Sequence, residues 1–367
     1  MARDLFEIPG PGLYLLAHSV GCLPARARAA LESTVLAPWS SEGADGWPGW
    51  LGAIDRFRDA LADLIGARAQ YICPQPGVSA ALSNLLSALP HAPGRDRLIA
   101  SRHAFPSIGF AMRAFERFGY RLDLIEGDPS DPAIWQAAIG ADTAAVVAMH
   151  VHSNSGLISP IKEISAMARR TGAVTIVDIA QSAGILPIDV TEWNVGAVIG
   201  SCVKWLCGGP GAGFLWVSPE LIEHCRPLHA GWFSHENPFA YDIDDFRPAP
   251  DARRFWGGTP SIAPYVLATV GIETVAALGV ARILADNRRL VAHFAAAAGI
   301  DIDMSGRGGT LCLRTARPDH LAAALTSAGC RFDRRDDVTR LSFHSWNDED
   351  EAGRVGRAVQ EFAVALA

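Results

Sequence analysis

Four short apolar runs in the middle of the sequence constrain the fold more than any other feature. They cover residues 144–149, 174–178, 197–201 and 213–217. Between the first two runs, Ile161, Ile164 and Met167 recur at helical spacing, and Gly172 provides a stop signal. Continuous apolar strands joined by a helix predict an α/β fold with a mostly parallel sheet that is covered on both faces. Such a sheet binds ligands at the carboxyl ends of its strands.

Two ionisable residues lie at these strand ends. Asp178 closes one apolar run, and Lys204 follows the next one, shortly before the glycine-rich stretch 208–213. Either residue alone would fit a helix cap or an ordinary surface position. As a pair, a buried acid can keep a pyridine nitrogen protonated while a lysine forms a Schiff base with an aldehyde. This combination is typical of enzymes that use pyridoxal 5'-phosphate (PLP).

The segments around Asp178 and Lys204, together with residues 13–21 and 340–347, resemble the class V aminotransferase group of fold-type I PLP enzymes. Within that group the sequence is most similar to the kynureninases, with features of the cysteine desulfurases. The resemblance extends over nearly the whole sequence. It implies a large PLP-binding domain of residues 21–274 and a small α+β domain formed by residues 1–20 and 275–367.

Several residues match positions that hold PLP in these families. Val78 and Ser79 open a helix, and a helix N-terminus attracts phosphate, although Ser79 also fits a plain helix cap. Phe105 matches the ring that stacks on PLP in kynureninases, whereas desulfurases use a histidine, for which His103 is the alternative. A core position is the other interpretation of Phe105. Gln181 matches the desulfurase glutamine that can donate to the phenolic oxygen of PLP.

Two further matches imply a second subunit. The segment Gly-Trp232-Phe-Ser-His resembles the kynureninase segment whose tryptophan N–H meets the phosphate. The segment Gly-Gly-Thr259-Pro resembles the stretch whose threonine reaches the phosphate across a dimer interface. The resemblance therefore implies a homodimer with shared active sites. Without the threonine match, Trp232 would be interpreted as an interface or core aromatic residue.

The resemblance assigns substrate binding to the C-terminal region. Arg340 lies in a stretch similar to the C-terminal Arg-x-Ser pattern of the desulfurase-like members, and a guanidinium can bind the substrate α-carboxylate bidentately. The alternative is a surface salt bridge with Asp336 or Asp337.

The sequence departs from the kynureninase pattern at several positions. Val203 replaces the tyrosine before the lysine, which is thought to serve proton transfer in that family. Ile108 replaces an aspartate, and residues 41–46 lack the histidine that helps to hold an aryl group. The N-terminal motif is changed as well, so substrate recognition is expected to use other residues. The candidates are His18 and Ser19, with Trp47, Trp50 and His152.

Charge and cysteine content limit the partners. A net charge of -7 without a Lys/Arg run disfavours nucleic acid, and seven cysteines without paired CxxC spacing predict reduced thiols and no metal site. The sequence shows neither a signal-peptide core nor an apolar run of about 18 residues. We therefore predict a cytoplasmic protein that does not bind membranes. Cys330, where a helix is expected to meet a strand, is predicted to be a buried structural thiol rather than a desulfurase nucleophile.

The remaining periodicity predicts the elements outside the central runs. Helices are expected over residues 24–36, 50–66, 79–89, 262–298, 319–328 and 348–365, and strands over 310–314 and 339–343.

The predicted activity follows from this set of residues. Lys204 would hold PLP and move the α-proton of a small amino-acid substrate, and Asp178 would protonate the ring. The leading function is a kynureninase-like lyase or hydrolase that cleaves a C–C or C–S bond in the side chain of its substrate. The alternatives are an aminotransferase, a racemase or a decarboxylase and, from another class, an inactive PLP-binding regulatory protein. The presence of Arg340 beside the other two residues favours an enzyme.

Overall fold

The computed structural model describes residues 2–90 and 92–367. The strands are β1 Phe6–Glu7, β2 Leu13–Tyr14, β3 Leu23–Pro24, β4 Ile72–Gln75, β5 Arg97–Ser101, β6 Arg121–Ile125, β7 Thr143–Met149, β8 Val174–Asp178, β9 Ala197–Ser201, β10 Gly213–Val217, β11 Leu311–Thr315, β12 Cys330–Arg331, β13 Asp333–Arg335, β14 Val338–Leu341 and β15 Val364–Leu366.

The α-helices are α1 Ala27–Leu31, α2 Ala37–Ser41, α3 Trp47–Ile65, α4 Val78–Ala88, α5 Pro106–Arg113, α6 Pro132–Ala138, α7 Ile161–Thr171, α8 Val190–Trp193, α9 Pro219–Ile222, α10 Ala263–Leu278, α11 Val280–Ala298, α12 Pro318–Ser327 and α13 Glu349–Val359. A π-helical turn, Glu32–Leu36, joins α1 to α2. Short 3-10 turns are Ala2–Leu5, Gly43–Gly46, Ala69–Tyr71, Ala114–Phe118, Trp232–Ser234 and Ala252–Phe255.

Within the described residues, a seven-stranded sheet has the order β4-β10-β9-β8-β7-β5-β6. Strand β10 is antiparallel to both of its neighbours, and the other pairs are parallel. The predicted mostly parallel sheet is confirmed, and the four apolar runs are β7 to β10. Strands β4, β5 and β6 were not predicted from the sequence. Arg97 and Arg121 open two of these strands and Pro74 lies in the third, so none of them forms a continuous apolar run.

Both faces of the sheet are buried. Val146 and Ala148 of β7 enter a core with residues of α3, α7 and α10. Ala145 and Val147 point to the opposite face and pack with α4 and α5. Because successive residues of a strand alternate between faces, a strand buried on both sides must be apolar at every position. This is why β7 to β10 were recognisable in the sequence.

The C-terminal part forms a smaller unit. An antiparallel sheet of order β13-β14-β11-β15 shares a core with α11, α12 and α13. The N-terminal strand β2 pairs with β12, so Leu13 and Leu15 join this core. This arrangement agrees with a small α+β unit, while the domain boundaries at 20/21 and 274/275 remain predictions.

Three predicted helices differ from the structure. Pro24 lies in β3, so the first helix begins later, at Ala27. The stretch 262–298 consists of two helices, which bend by 73° at their junction. The helix predicted over 348–365 ends at Val359, because the last residues form β15 and pair with β11.

No single helix in residues 2–90 and 92–367 is both long and apolar enough to cross a membrane. Helices α10 and α11 meet that criterion only when they are taken together, and the pair is bent.

Candidate active site

A cavity of about 400 Å³ lies at the carboxyl ends of the parallel strands. The predicted site residues in its lining come from four separate segments, which follow β4, β5, β8 and β9. They are Val78, Ser79, Phe105, Asp178, Gln181 and Lys204. The strand ends bring these segments together because parallel strands end at the same edge of a sheet.

Asp178 and Lys204 are both buried in this lining. Asp178 ends β8 and is 3% exposed, and its carboxylate accepts a hydrogen bond from the Ala180 N–H at 2.8 Å. Burial raises the pKa of Asp178, while the Lys204 charge and the Ala180 N–H act in the opposite direction. Burial lowers the pKa of Lys204 against the attraction of Asp178. Burial therefore favours the neutral amine, which is the form that attacks an aldehyde.

The turn that carries Lys204 packs closely against the N-terminal segment. The Gly21 N–H donates to the Val203 carbonyl at 2.8 Å. A Cβ atom at Gly21 would lie 2.2 Å from the Lys204 carbonyl oxygen, so a larger residue would displace the lysine turn. The conformation of Lys204 therefore depends on residues outside its own segment.

The polar groups around the cavity fit PLP. Gly77 is the N-cap of the 11-residue helix α4, and no side chain of the described residues caps the first N–H groups of this helix. A helix N-terminus of this kind suits a phosphate. The Gln181 amide nitrogen donates to the His18 carbonyl at 3.1 Å, whereas its Oε1 is buried without a hydrogen-bond partner among the described residues. Lys204 and Asp178 would hold the aldehyde and the ring nitrogen.

Phe105, rather than His103, lies beside the lysine. The Lys204 Nζ is 5.7 Å from the centroid of the Phe105 ring. His103 lines a different and smaller cavity together with His152. The stacking role of Phe105 remains a prediction, and this placement supports it.

Trp232 and Thr259 are not in the lining of the cavity that contains Lys204. Trp232 lines a second cavity of about 440 Å³ with Tyr241, and its ring centroid is 6.4 Å from that of Trp47. Thr259 is exposed. Their contacts with the phosphate, and the second subunit that the resemblance implies, remain predictions.

Arg340 lies in the interior, so the predicted alternative of a surface salt bridge with Asp336 or Asp337 is wrong. It is 1% exposed, and its Nε and Nη2 both donate to the Asp333 carboxylate, with 2.7 Å between Nε and Oδ1. Its Nη1 donates to the Ser153 carbonyl at 3.1 Å. Asp333 faces Arg340 because β13 and β14 pair in that register. Arg340 is not part of the cavity lining.

His18 and Ser19 are also absent from the cavity lining. The His18 ring is buried, with Nδ1 2.9 Å from Ser342 Oγ and Nε2 3.1 Å from Asp333 Oδ1. Burial lowers the pKa of His18 to about 4, so its ring is neutral near pH 7. Ser19 is partly exposed. Contacts of these two residues with a substrate remain predictions.

Arg335 lies close to the cavity and was not among the site residues predicted from the sequence. Its guanidinium carbon is 5.0 Å from the centroid of the Phe105 ring. Its Nη1 is 3.2 Å from the hydroxyl of Ser153, a residue of the cavity lining. Because successive residues of a strand alternate between faces, Arg335 lies on the same face as Asp333. This two-residue spacing could have indicated from the sequence that Arg335 lies near the site.

Comparison with known proteins identifies the family. The family model Aminotransferase class-V matches residues 51–301. The protein is 30% identical over 285 residues to a kynureninase of Pseudomonas fluorescens, covering 75% of this chain and 67% of that protein. It is 30% identical over 329 residues to the uncharacterized aminotransferase YcbU of Bacillus subtilis (strain 168), covering 86% of this chain and 85% of that protein. The protein belongs to the class V aminotransferase family.

Solved structures show the same fold for this class V protein. The apo structure of a cysteine desulfurase from Thermococcus onnurineus NA1 superposes with a TM-score of 0.82 at 21% identity, covering 95% of this chain and 94% of that one. A C-DES variant with glycine covalently linked to its PLP cofactor gives a TM-score of 0.87 at 20% identity, covering 98% and 99%. The predicted fold-type I architecture is confirmed. This class V protein is a PLP-dependent enzyme.

Proposed function

We propose that this class V enzyme is a kynureninase-like lyase or hydrolase that breaks a C–C or C–S bond in the side chain of an amino acid. The observation that carries the proposal is the shared cavity of Asp178 and Lys204, which are both buried at adjacent strand ends and lie close to two arginines. When bound, PLP supplies an electron sink for negative charge at the substrate α carbon.

Different residues of the cavity would transfer protons and orient the cofactor. Lys204 would remove the proton from the α carbon and return a proton to the substrate, because its amine is the buried base in the lining. Asp178 would keep the ring nitrogen protonated. Phe105 would cover the ring and exclude water from the face that it contacts.

The substrate carboxylate is proposed to bind on the arginine side of the cavity. The resemblance implies Arg340 as the anchor, and this residue donates to the carbonyl of Ser153. Arg335 donates to the hydroxyl of the same serine. Ser153 thus links both guanidinium groups to the cavity that contains Lys204.

The cysteines support bond cleavage without sulfur transfer to the protein. Cys330 is 7% exposed and lies in β12, and burial raises its pKa to about 11. The described cysteines are all buried. A desulfurase-type relay needs a thiolate that can reach the substrate. The arrangement of Cys330 therefore favours a lyase or hydrolase over a cysteine desulfurase.

A homodimer with shared active sites is part of the proposal. The segment around Trp232 exposes Phe239, Tyr241, Ile243 and Phe246, and Ile243 is 95% exposed. An exposed apolar group of this size commonly marks a protein interface. Sedimentation equilibrium should give twice the mass of one subunit, and a monomer with full activity would refute shared sites.

Kynurenine itself is expected to be at best a poor substrate. The Val203 carbonyl accepts a hydrogen bond from the Gly21 N–H, but the valine side chain cannot transfer a proton. Losing a positioned acid or base typically lowers a rate by about a hundredfold or more. We expect little anthranilate from kynurenine and little of the hydroxylated product from 3-hydroxykynurenine, whereas release at the rate of a dedicated kynureninase would contradict this prediction.

The reaction type is tested by incubating the PLP-loaded enzyme with kynurenine, cystine, cysteine derivatives and simple amino acids. Formation of alanine or pyruvate from a substrate with a cleavable side group is expected. A keto acid with an intact side group would indicate an aminotransferase, an inverted α carbon a racemase, and carbon dioxide a decarboxylase. Bound PLP without a product or any spectral response would favour the inactive PLP-binding protein.

A further inference from the structure

His18 contacts the two sides of the active site through different parts of the residue. Its carbonyl accepts a hydrogen bond from Nε2 of Gln181, which lines the cavity, at 3.1 Å. Its ring contacts the small unit, with Nε2 3.1 Å from Asp333 Oδ1 and Nδ1 2.9 Å from Ser342 Oγ. The ring is fully buried, so water cannot replace these two contacts. The side chain of His18 therefore acts on the small unit, and its main chain acts on the cofactor side.

The hydrogen bonds determine which nitrogen of the His18 ring carries the hydrogen. The ring is neutral near pH 7, because burial lowers its pKa to about 4. An ionised carboxylate can only accept, so Nε2 carries the hydrogen and donates it to Asp333. Nδ1 then accepts the hydroxyl hydrogen of Ser342. The Leu15 carbonyl still accepts the N–H of Ser342 at 2.9 Å, so it keeps a partner. Both ring nitrogens of His18 are thus satisfied, and the donor to Asp333 has a defined direction.

The orientation of Asp333 depends on His18. Asp333 lies on β13, a three-residue strand at the edge of the small sheet, where β14 is its neighbour. Its Oδ1 accepts from His18 Nε2 at 3.1 Å and from Arg340 Nε at 2.7 Å, and its Oδ2 accepts from Arg340 Nη2. Burial raises the pKa of Asp333, but the hydrogen bonds from His18 and Arg340 outweigh it and lower the pKa below its ordinary value. His18 therefore helps to keep Asp333 ionised and directed toward Arg340.

Arg340 connects this carboxylate to the cavity. Asp333 occupies the Nε–Nη2 edge of the guanidinium, and Nη1 donates to the Ser153 carbonyl at 3.1 Å. Ser153 lines the cavity that contains Lys204. A bidentate contact sets both the position and the plane of a guanidinium group. A rotation of the Asp333 carboxylate would therefore displace Arg340, the proposed anchor of the substrate carboxylate.

We propose, on the basis of the proposed function, that His18 is a positioning residue for substrate binding. Its Nε2–H holds Asp333 against Arg340, which keeps the guanidinium in place for the substrate α-carboxylate. His18 then acts on the substrate through these two residues and not by direct contact. Two substitutions separate the ring contacts. Glutamine places an amide N–H near the position of Nε2, whereas asparagine places one near Nδ1, so only glutamine can replace the donor to Asp333.

The test measures binding of L-alanine and of ethylamine, which lacks the carboxylate, to the PLP-loaded enzyme through the absorbance of the bound cofactor. We expect His18→Asn to weaken L-alanine binding by about 10-fold, the lower end of the effect of a hydrogen bond to a charged group, and His18→Gln to stay close to the wild type. Ethylamine binding and the absorbance without ligand should not change, because the His18 carbonyl still accepts from Gln181. Equal L-alanine affinities of the two variants, or a shifted absorbance of ligand-free His18→Gln, would overturn the proposal.

Arg334→Gln is the matched control, because Arg334 adjoins Asp333 on β13 but is exposed and pairs with Asp319 at 2.7 Å. It should bind both compounds like the wild type, and weaker L-alanine binding would overturn the specific role of His18. In an Asp333→Ala background, His18→Asn should cause no further loss, since the contact that it removes is already absent. An additional loss would overturn the proposal, because His18 would then contact the substrate directly. The comparison of His18→Asn with His18→Gln decides the proposal even if Asp333→Ala does not fold.

Failure of the proposed function would look different. The wild-type enzyme would then respond spectrally to neither L-alanine nor ethylamine, because no amine would react at Lys204. A wild-type enzyme that binds ethylamine as tightly as L-alanine would overturn the positioning role of His18, since no carboxylate contact would exist to be positioned, and would leave the enzyme class intact.

Discussion

The buried histidine that stacks on Trp346 should make the stability of the protein depend on pH. His344 is fully buried, and its ring stacks on Trp346 with 4.0 Å between centroids and 16° between planes. Neither ring nitrogen has a hydrogen-bond partner among the described residues. Burial lowers the pKa of His344 from 6.5 to about 3. Between these two pKa values, the His344 ring is protonated in the unfolded protein and neutral in the folded protein.

The sign and size of the effect follow from this difference. Above pH 6.5 the ring is neutral in both states, and the stability is complete. As the pH falls below 6.5, the unfolded protein binds the proton first, so the free energy of unfolding falls by about 1.4 kcal/mol per pH unit until about pH 3. Between pH 7 and pH 5 the loss from His344 is about 2 kcal/mol.

His344→Phe keeps a stacked ring and removes the titration. Urea unfolding at pH 7 and pH 5 should show a drop in the free energy of unfolding that is about 2 kcal/mol smaller in the variant than in the wild type. The other buried histidines contribute equally to both proteins, so the difference isolates His344. The exposed His320 provides a control, and His320→Gln should behave like the wild type. An identical pH dependence in the wild type and His344→Phe would refute the reasoning.

Three further predictions concern the active site. Borohydride should fix PLP on Lys204, and Lys204→Ala should not form the yellow adduct; a peptide map that places the label on Lys162 would reject this assignment. Asp178→Ala should lose about a hundredfold or more in turnover even with excess PLP, since the ring nitrogen loses its acid, and substantial retained activity would point to another carboxylate. Cys330→Ala should remain active and resistant to alkylation; selective loss of sulfur release from cysteine would restore the desulfurase interpretation.

Local patterns sufficed for the parts of the site that follow buried strands. The apolar runs predicted β8 and β9, and a parallel sheet requires Asp178 and Lys204 to meet at one edge. Gln75, at the end of β4, and the start of α4 reach the same edge although β4 itself was missed, because Gly213 of β10 pairs with Gln75. The helix-opening pattern around Ser79 was enough to place that segment.

The arginine region could not be predicted in the same way. Arg340 has acidic neighbours at 333, 336 and 337, and the predicted alternative named only Asp336 and Asp337. The structure selects Asp333, because the β13–β14 register places it opposite Arg340. An ion pair depends on which residues share a face after the hairpin forms, and sequence distance does not encode this.

The sequence by itself determined strands β7 to β10 and the meeting of Asp178 and Lys204 at one edge of the sheet, since strands buried on both faces are apolar at every position and parallel strands end at the same edge. Only the tertiary structure decided which arginine pairs with Asp333. It did so because the register of β13 and β14 places the Asp333 carboxylate opposite Arg340, whereas Arg335 forms no ion pair with a carboxylate among residues 2–90 and 92–367.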